Sequence, residues 1–336
     1  MPGVRTISPA VAFTTLSLLF GTVILLATPP LRGPDETAHF LRAYGVAHGD
    51  FVPSHRDAAG RKGIFLPPRL FDGFDFFESV RVKEKEPAFS YGPIFKSYFS
   101  RQWPLADRAS TFVPYAGSEG YSPVAYLPQA AAALIARVLD LDFLSTLYLM
   151  RFAGLAALSA VIAYAIAMVP NLSWAFLSIA MLPAAIYGRS VISADGSALA
   201  GAMVVVASWV RIGISQQPQR SNWHPFWMTL SALTKPPNVV FVFLLPLPGM
   251  RMPHWQLFGL TIVPAISLTT LWTLSSGADA ASWRMVEITG QNLGAFDPSA
   301  KLALLANHPM HFIAAVRHTW HDADFSELWL QVRRFA

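Results

Sequence analysis

Long apolar runs separated by short polar breaks set the plan of this chain. The first, about Pro9 to Ala27, carries no charged side chain and is long enough to cross a bilayer as a helix. A second run covers about Phe143 to Met168, a third about Leu172 to Arg189, and a fourth follows Asp195 to about Val210. A fifth begins near Trp223 and is interrupted at Thr234-Lys235-Pro236-Pro237, where two prolines forbid a continuing helix. Asn238 to Leu247 then reads as a short sixth span, and Trp255 to Leu274 as a seventh. The pattern predicts an all-α, polytopic transmembrane helical bundle of about seven spans. Residues 28–143 form a large external loop carrying juxtamembrane helices, residues 144–274 the bundle, and residues 275–336 an external tail.

Within the loop, the stretch from Phe51 to Ala116 is rich in Gly, Pro and aromatics and predicts short helices and irregular turns, not a separate domain. Its charge run Arg81-Val82-Lys83-Glu84-Lys85-Glu86 reads as a solvated face. Ala130 to Leu139, entered through Tyr121-Ser122-Pro123 and Tyr126-Leu127-Pro128-Gln129, is too short for a span and predicts an interfacial or re-entrant helix.

Composition sharpens this plan. Only 13% of the 336 residues are charged, against roughly 25% in a soluble domain. About half of those charges lie between Arg32 and Glu119. The chain has no cysteine, which excludes disulfides and thiolate metal sites. The net charge of +5 is dispersed, with no basic tract for nucleic acid. If every span crosses, the inner segments hold Arg5, Arg211, Arg220 and Arg251 and no acidic residue, so the N-terminus is expected to be cytoplasmic. The first span is long for a signal peptide and lacks a small residue two positions before the expected cleavage point, so it reads as an uncleaved anchor.

The candidate chemistry gathers at the outer face. Pro34-Asp35-Glu36-Thr37-Ala38-His39-Phe40-Leu41-Arg42 turns abruptly from hydrocarbon into a dense polar cluster. Asp35 is expected to cap a new helix, with Glu36 in its first turn and Asp35, His39 and Arg42 on one face. A carboxylate at the membrane surface sits in a reduced dielectric, which raises its value as a general base or metal-proximal ligand. Asp195 opens the fourth span as a candidate N-cap that could also face a cavity. Lys235 lies in an interrupted hairpin, where burying a lysine costs roughly 2.5–3.5 kcal/mol unless an anion meets it. A phosphate is the expected partner, the outer carboxylates being too few to neutralise both Lys235 and Arg189. Arg151 and Arg189, near predicted span ends, are weaker candidates for lipid phosphate. In the tail, His308, His311, His318 and His321 do not place three on one rigid face with a carboxylate, so no metal centre is expected there.

Pro34-Asp35-Glu36 with His39, Tyr121-Ser122-Pro123 with Tyr126-Leu127-Pro128-Gln129, Ile192-Ser193-Ala194-Asp195, and Leu233-Thr234-Lys235-Pro236-Pro237 occur in that order. This ordered set resembles the bacterial polytopic membrane proteins of domain-of-unknown-function family 2142, over about residues 9 to 325. It is also similar to the wider GT-C glycosyltransferase superfamily. The resemblance implies a single GT-C-like membrane domain in the bacterial inner membrane that transfers a sugar from a polyprenyl-phosphate donor on the outer face. The acceptor would be a glycan or lipid, and the surroundings membrane lipids. By the same resemblance Asp35 and Glu36 are the catalytic candidates. His39, Arg42, Tyr121, Gln129, Arg189, Asp195 and Lys235 are the substrate-binding ones, with Lys235 and Arg189 together on the lipid phosphate. A divalent cation is the one cofactor left open. A transporter of lipid-linked sugar or anion, and a non-catalytic assembly subunit, are the competing classes. Relatives usually carry further spans after the seventh, and this chain ends at Arg333-Arg334-Phe335-Ala336, so a C-terminally truncated product is expected.

Overall fold

The computed structural model describes residues 7–58, 60–83, 89–101, 108–214, 223–244, 255–277, 298–310, 313, 314 and 317. Arg5, Arg220, Arg251, Glu84 to Glu86, His311, His318, His321 and the final residues fall outside the described set. The chain divides into a large unit, Met1–Ala281, and a second, Ser282–Ala336, whose helix Pro298–Asn307 (α12) is described. All that follows concerns the first unit.

Helix α1 (Pro9–Ala27) starts where Ser8 accepts a hydrogen bond from the amide of Val11 and where a proline occupies the first turn. One stripe, Phe13, Ser17, Gly21 and Leu25, is buried, while Val11, Leu19, Phe20, Val23 and Leu26 stay exposed, as a lipid-facing surface must. The buried stripe packs on α6 (Phe143–Met168). Gly21 lets the two helices approach: a Cβ would come within 2.5 Å of the Leu155 methyl, which would have to move aside. Beside it the Ser17 and Ser159 hydroxyls bond at 2.8 Å, the small-residue, hydroxyl-glued packing that joins helices in lipid.

The segment between α1 and α6 is an aromatic-cored layer. It contains α2 (Glu36–Ala47), α3 (Pro68–Lys83), α4 (Tyr91–Ser100) and α5 (Leu127–Val138). Beyond the expected helices and turns it holds a short antiparallel pair, β1 (Gly63–Leu66) against β2 (Thr111–Pro114), with Ile64 opposite Val113. Phe40, Phe74 and Phe77 surround Phe143 at the start of α6, with ring centroids 5.2, 6.0 and 5.9 Å away. The layer is thereby fixed to the start of α6 and lies in the same compact unit as the bundle.

Four helices are long and apolar enough to cross a membrane among the described residues: Pro9–Ala27, Phe143–Met168, Ala194–Ile212 and Gly259–Ser276. A fifth crossing is available if the bent pair α7 (Ser173–Ala180, led by a 3₁₀ turn from Pro170) and α8 (Pro183–Ser190) counts as one span. Among the described residues, then, four or five of the expected spans are long and apolar enough to cross on their own. The third span is no continuous helix: it bends by 73° where Met181 and Leu182 precede Pro183. The fifth and sixth are short halves. α10 (His224–Thr234) stops at Lys235, which the following proline holds extended, and residues 236–244 wind as a 3₁₀ segment. The fourth and seventh are α9 (Ala194–Ile214) and α11 (Trp255–Trp272). α8 and α9 approach closely through glycines: a Cβ on Gly196 would lie 2.6 Å from the carbonyl of Gly188.

Candidate functional site

The break after α1 carries two left-handed non-glycine residues, Leu31 (φ 60°) and Asp35 (φ 50°), four positions apart. Such backbone is costly for a side chain with a Cβ and survives only where the surroundings enforce it. The enforcing contact is Glu36. Its fully buried carboxylate pairs with the fully buried guanidinium of Arg151 on α6 through Nε at 2.7 Å and Nη2 at 2.5 Å. It also accepts from the amide of Gly33 and, across 156 residues, from that of Ile192, each at 3.1 Å. Arg151 gives its remaining donors to the carbonyls of Leu25, Thr28 and Pro29. Every N–H of the guanidinium is used, and the carboxylate accepts four hydrogen bonds. One ion pair thus ties together the end of α1, the start of α2, the middle of α6 and the link between α8 and α9. Arg151, expected to meet lipid phosphate, meets Glu36 instead.

Asp35 behaves differently from its neighbour. It is exposed, and although it stands at the N-cap position of α2 its side chain makes no capping bond. The expected cap fails because left-handed backbone turns the carboxylate away from the first-turn amides. The field of Asp35 reaches His39, as do those of Asp195, Glu36 and Lys235. These charges therefore all lie within reach of His39.

His39 is buried with Nδ1 2.6 Å from the Tyr126 hydroxyl and its ring 5.3 Å from that of Tyr121, edge-on. Burial lowers its pKa to about 4 against the opposing pull of Asp35, Asp195 and Glu36, so the imidazole is neutral at ordinary pH. Arg42 does share the face of His39, as the helical spacing predicts, but it is wholly committed to the protein. It donates to the carbonyls of Tyr121, Asp50 and Phe51 at 3.2, 2.7 and 2.7 Å. Its guanidinium lies over the rings of Tyr115 and Trp272. Burial pushes the Tyr115 hydroxyl well above the usual range, and it donates to Asp50. Trp272 donates to the Gly120 carbonyl at 2.8 Å, so the C-terminal end of α11 grips the turn that presents Tyr121.

At the start of α9, Ser193 and not Asp195 supplies the capping oxygen: it accepts from the Asp195 amide at 3.0 Å. Asp195 is left to pair with Lys235. Lys235 therefore has a carboxylate partner, contrary to the expectation that the outer acids are too few. The pair is open, with side chains 35% and 64% exposed. Gln129 is buried between α5 and α6 and fills the notch of Gly154, away from any open surface. Arg189 is buried too, but it joins Ser17 at 3.1 Å and the Ala180 carbonyl at 3.0 Å, and its charge is not among those that act on Lys235. The joint phosphate site of Lys235 and Arg189 is not formed. Tyr126, Ser193 and Arg151 are the residues that sequence reasoning missed or undervalued. For Arg151 the signal was present, since an arginine in the third turn of a 26-residue apolar helix needs a buried partner. Among the described residues no three His, Asp or Glu side chains gather as a metal-holding group.

Helices with lipid-facing apolar flanks and buried small-residue seams, joined to one aromatic-cored layer, define an all-α polytopic membrane protein. The chain belongs to the family described as predicted membrane protein (DUF2142), whose model matches residues 18–332. No curated protein and no solved structure matches it significantly.

Proposed function

We propose that the chain is a membrane glycosyltransferase-like enzyme of the bacterial inner membrane. In this reading the N-terminus is cytoplasmic, and the cluster around Asp35 transfers a sugar from a polyprenyl-phosphate donor on the outer face. The observation that carries the reading is the division of labour between adjacent carboxylates. Glu36 is consumed by Arg151, while Asp35 is exposed on left-handed backbone and acts on a neutral imidazole, His39, that the charges of Asp195 and Lys235 also reach. Asp35 takes the proton of the acceptor hydroxyl as the new glycosidic bond forms. The bond from the anomeric carbon to the phosphate oxygen breaks, and Lys235 meets the charge that develops on the leaving phosphate. Tyr121 and His39 wall the cluster. Arg42 and Gln129 hold its scaffold, and Glu36 is structural.

The test is transfer from a labelled polyprenyl-phosphate sugar in membranes containing the protein. Asp35→Asn should lower transfer by roughly 10²-fold or more while leaving the protein inserted. A fully active Asp35→Asn variant refutes the assignment. The broken span α7–α8 favours a second reading, a transporter of lipid-linked sugar or anion. That reading predicts flux across sealed vesicles that Asp35→Asn leaves intact.

A further inference from the structure

We propose that Asp195 is a placeholder for phosphate: it occupies Lys235 in the ligand-free protein, an incoming phosphate group displaces it, and its return expels that group. The inference rests on the reading of Lys235 as a phosphate ligand and goes beyond it by giving Asp195 a part in release. The pair is open to solvent. Among the described residues Asp195 is the one carboxylate within ion-pairing distance of Lys235, and the two side chains are 64% and 35% exposed. Asp195 Oδ1 takes one N–H of the ammonium, and no other acceptor among the described residues takes the rest. A phosphate oxygen therefore has both a route from solvent and a donor to meet before Asp195 leaves.

Neither partner depends on the other for its place. Ser193 caps α9 by accepting from the Asp195 amide at 3.0 Å, so the carboxylate is not needed there. The backbone at Lys235 is fixed by Asn238. Its amide donates to the Lys235 carbonyl at 2.9 Å, and its side chain donates to the Ala198 carbonyl and the Ser231 hydroxyl, each at 3.1 Å. Lys235 thus keeps its position when the ion pair opens. The Glu36–Arg151 pair is the opposite case, fully buried with every N–H of the guanidinium met. An exposed pair contributes little to stability, so exchanging its carboxylate for a phosphate is cheap and reversible. The cost of opening the pair is the same for every phosphate. The repulsion between a displaced Asp195 and the bound group is not, because it grows with the ligand's charge. Asp195 therefore loosens a phosphate monoester, the leaving group of the proposed transfer, more than the diester donor.

Farnesyl phosphate is the probe, titrated calorimetrically into detergent-solubilised protein, with inorganic phosphate in parallel. Asp195→Asn should bind farnesyl phosphate roughly 3–10-fold more tightly than the wild type, since a competing ion pair and a repulsive charge are both gone. Asp195→Glu keeps the charge and should stay within about twofold of the wild type. Lys235→Met should bind roughly 10-fold more weakly or worse. The Asp195 variants are expected to fold, because the carboxylate is exposed and α9 is capped without it. A gain shared by inorganic phosphate assigns the free anion as ligand, a gain confined to farnesyl phosphate assigns the lipid, and both support the exchange. Equal or weaker binding by Asp195→Asn overturns it, and so does a wild type and variant that both fail to bind. The transferase reading stands or falls separately: a protein that shows the gain but transfers no sugar keeps the exchange and loses the enzyme.

Discussion

Glu36→Gln is the most informative single change, because it removes one charge and almost no volume at the junction of four elements. Glutamine can keep its oxygen where Oε1 now sits, accepting from Arg151 Nε and the Ile192 amide. Its NH₂ group then occupies the place of Oε2, where it faces two donors, Arg151 Nη2 and the Gly33 amide. Breaking a buried ion pair from one side typically costs about 3–5 kcal/mol. Arg151 keeps three carbonyl acceptors, at Leu25, Thr28 and Pro29. The low end, about 3 kcal/mol, is therefore expected, a fall of roughly 6–12 °C in melting midpoint at the scaling for domains of 150–250 residues.

The assay is size-exclusion chromatography of detergent-solubilised protein after stepped heating. Asp35→Asn, one residue away but exposed, should stay within about 0.5 kcal/mol of the wild type. The double variant Glu36→Leu/Arg151→Met should recover at least half of the loss, because an apolar pair needs no desolvation. A Glu36→Gln protein that melts with the wild type, or that loses no more than Asp35→Asn, refutes the hub.

Lys235→Met should change the stability by less than about 1 kcal/mol, since the Lys235–Asp195 pair is open to solvent. Loss of donor binding or transfer in that variant is then functional, and unchanged donor binding removes Lys235 from the site. His39, with its pKa lowered to about 4 by burial among Asp35, Asp195, Glu36 and Lys235, stabilises the fold fully above the unfolded value near 6.5. That stability drains as pH falls from about 6.5 to about 4, by on the order of 3 kcal/mol, because the unfolded chain takes the proton first. A His39→Gln variant should show a flatter pH–stability curve over that window, and an equally steep one contradicts the assignment. For topology, a cysteine at Ser54 should react with an impermeant reagent in intact cells and one at Ser215, outside the described residues, should not. External labelling at 215 inverts the bundle.

The parts of the structure legible in the sequence are those set by composition over a local window. Pro9–Ala27 and Phe143–Met168 emerge with the expected bounds because lipid demands an uninterrupted apolar run. The 73° bend was also written locally, in Pro183, but a hydropathy window averages over a single proline. The two halves around Lys235 were visible as a break, and the prolines explain how abruptly α10 ends at Thr234.

The roles of the candidate site residues were not legible in the sequence, and the adjacent carboxylates show why. Helical geometry says that Asp35 and Glu36 point about 100° apart. It does not say which direction leads inward. That is decided by Arg151, 115 residues further on, and by the Ile192 amide, 156 residues further on, both brought in only when α6 and the α8–α9 link close around the start of α2. Once Glu36 is drawn inward, its capture of the Gly33 amide bends the chain so tightly that Asp35 is forced into left-handed backbone and out to the surface. Removing the ion pair should therefore release Asp35 as well as destabilise the fold. In Glu36→Gln, transfer should fall even at temperatures where the protein remains folded. The Glu36→Leu/Arg151→Met protein separates the two effects, since it should regain stability without regaining the bond from Gly33 that holds Asp35 in place.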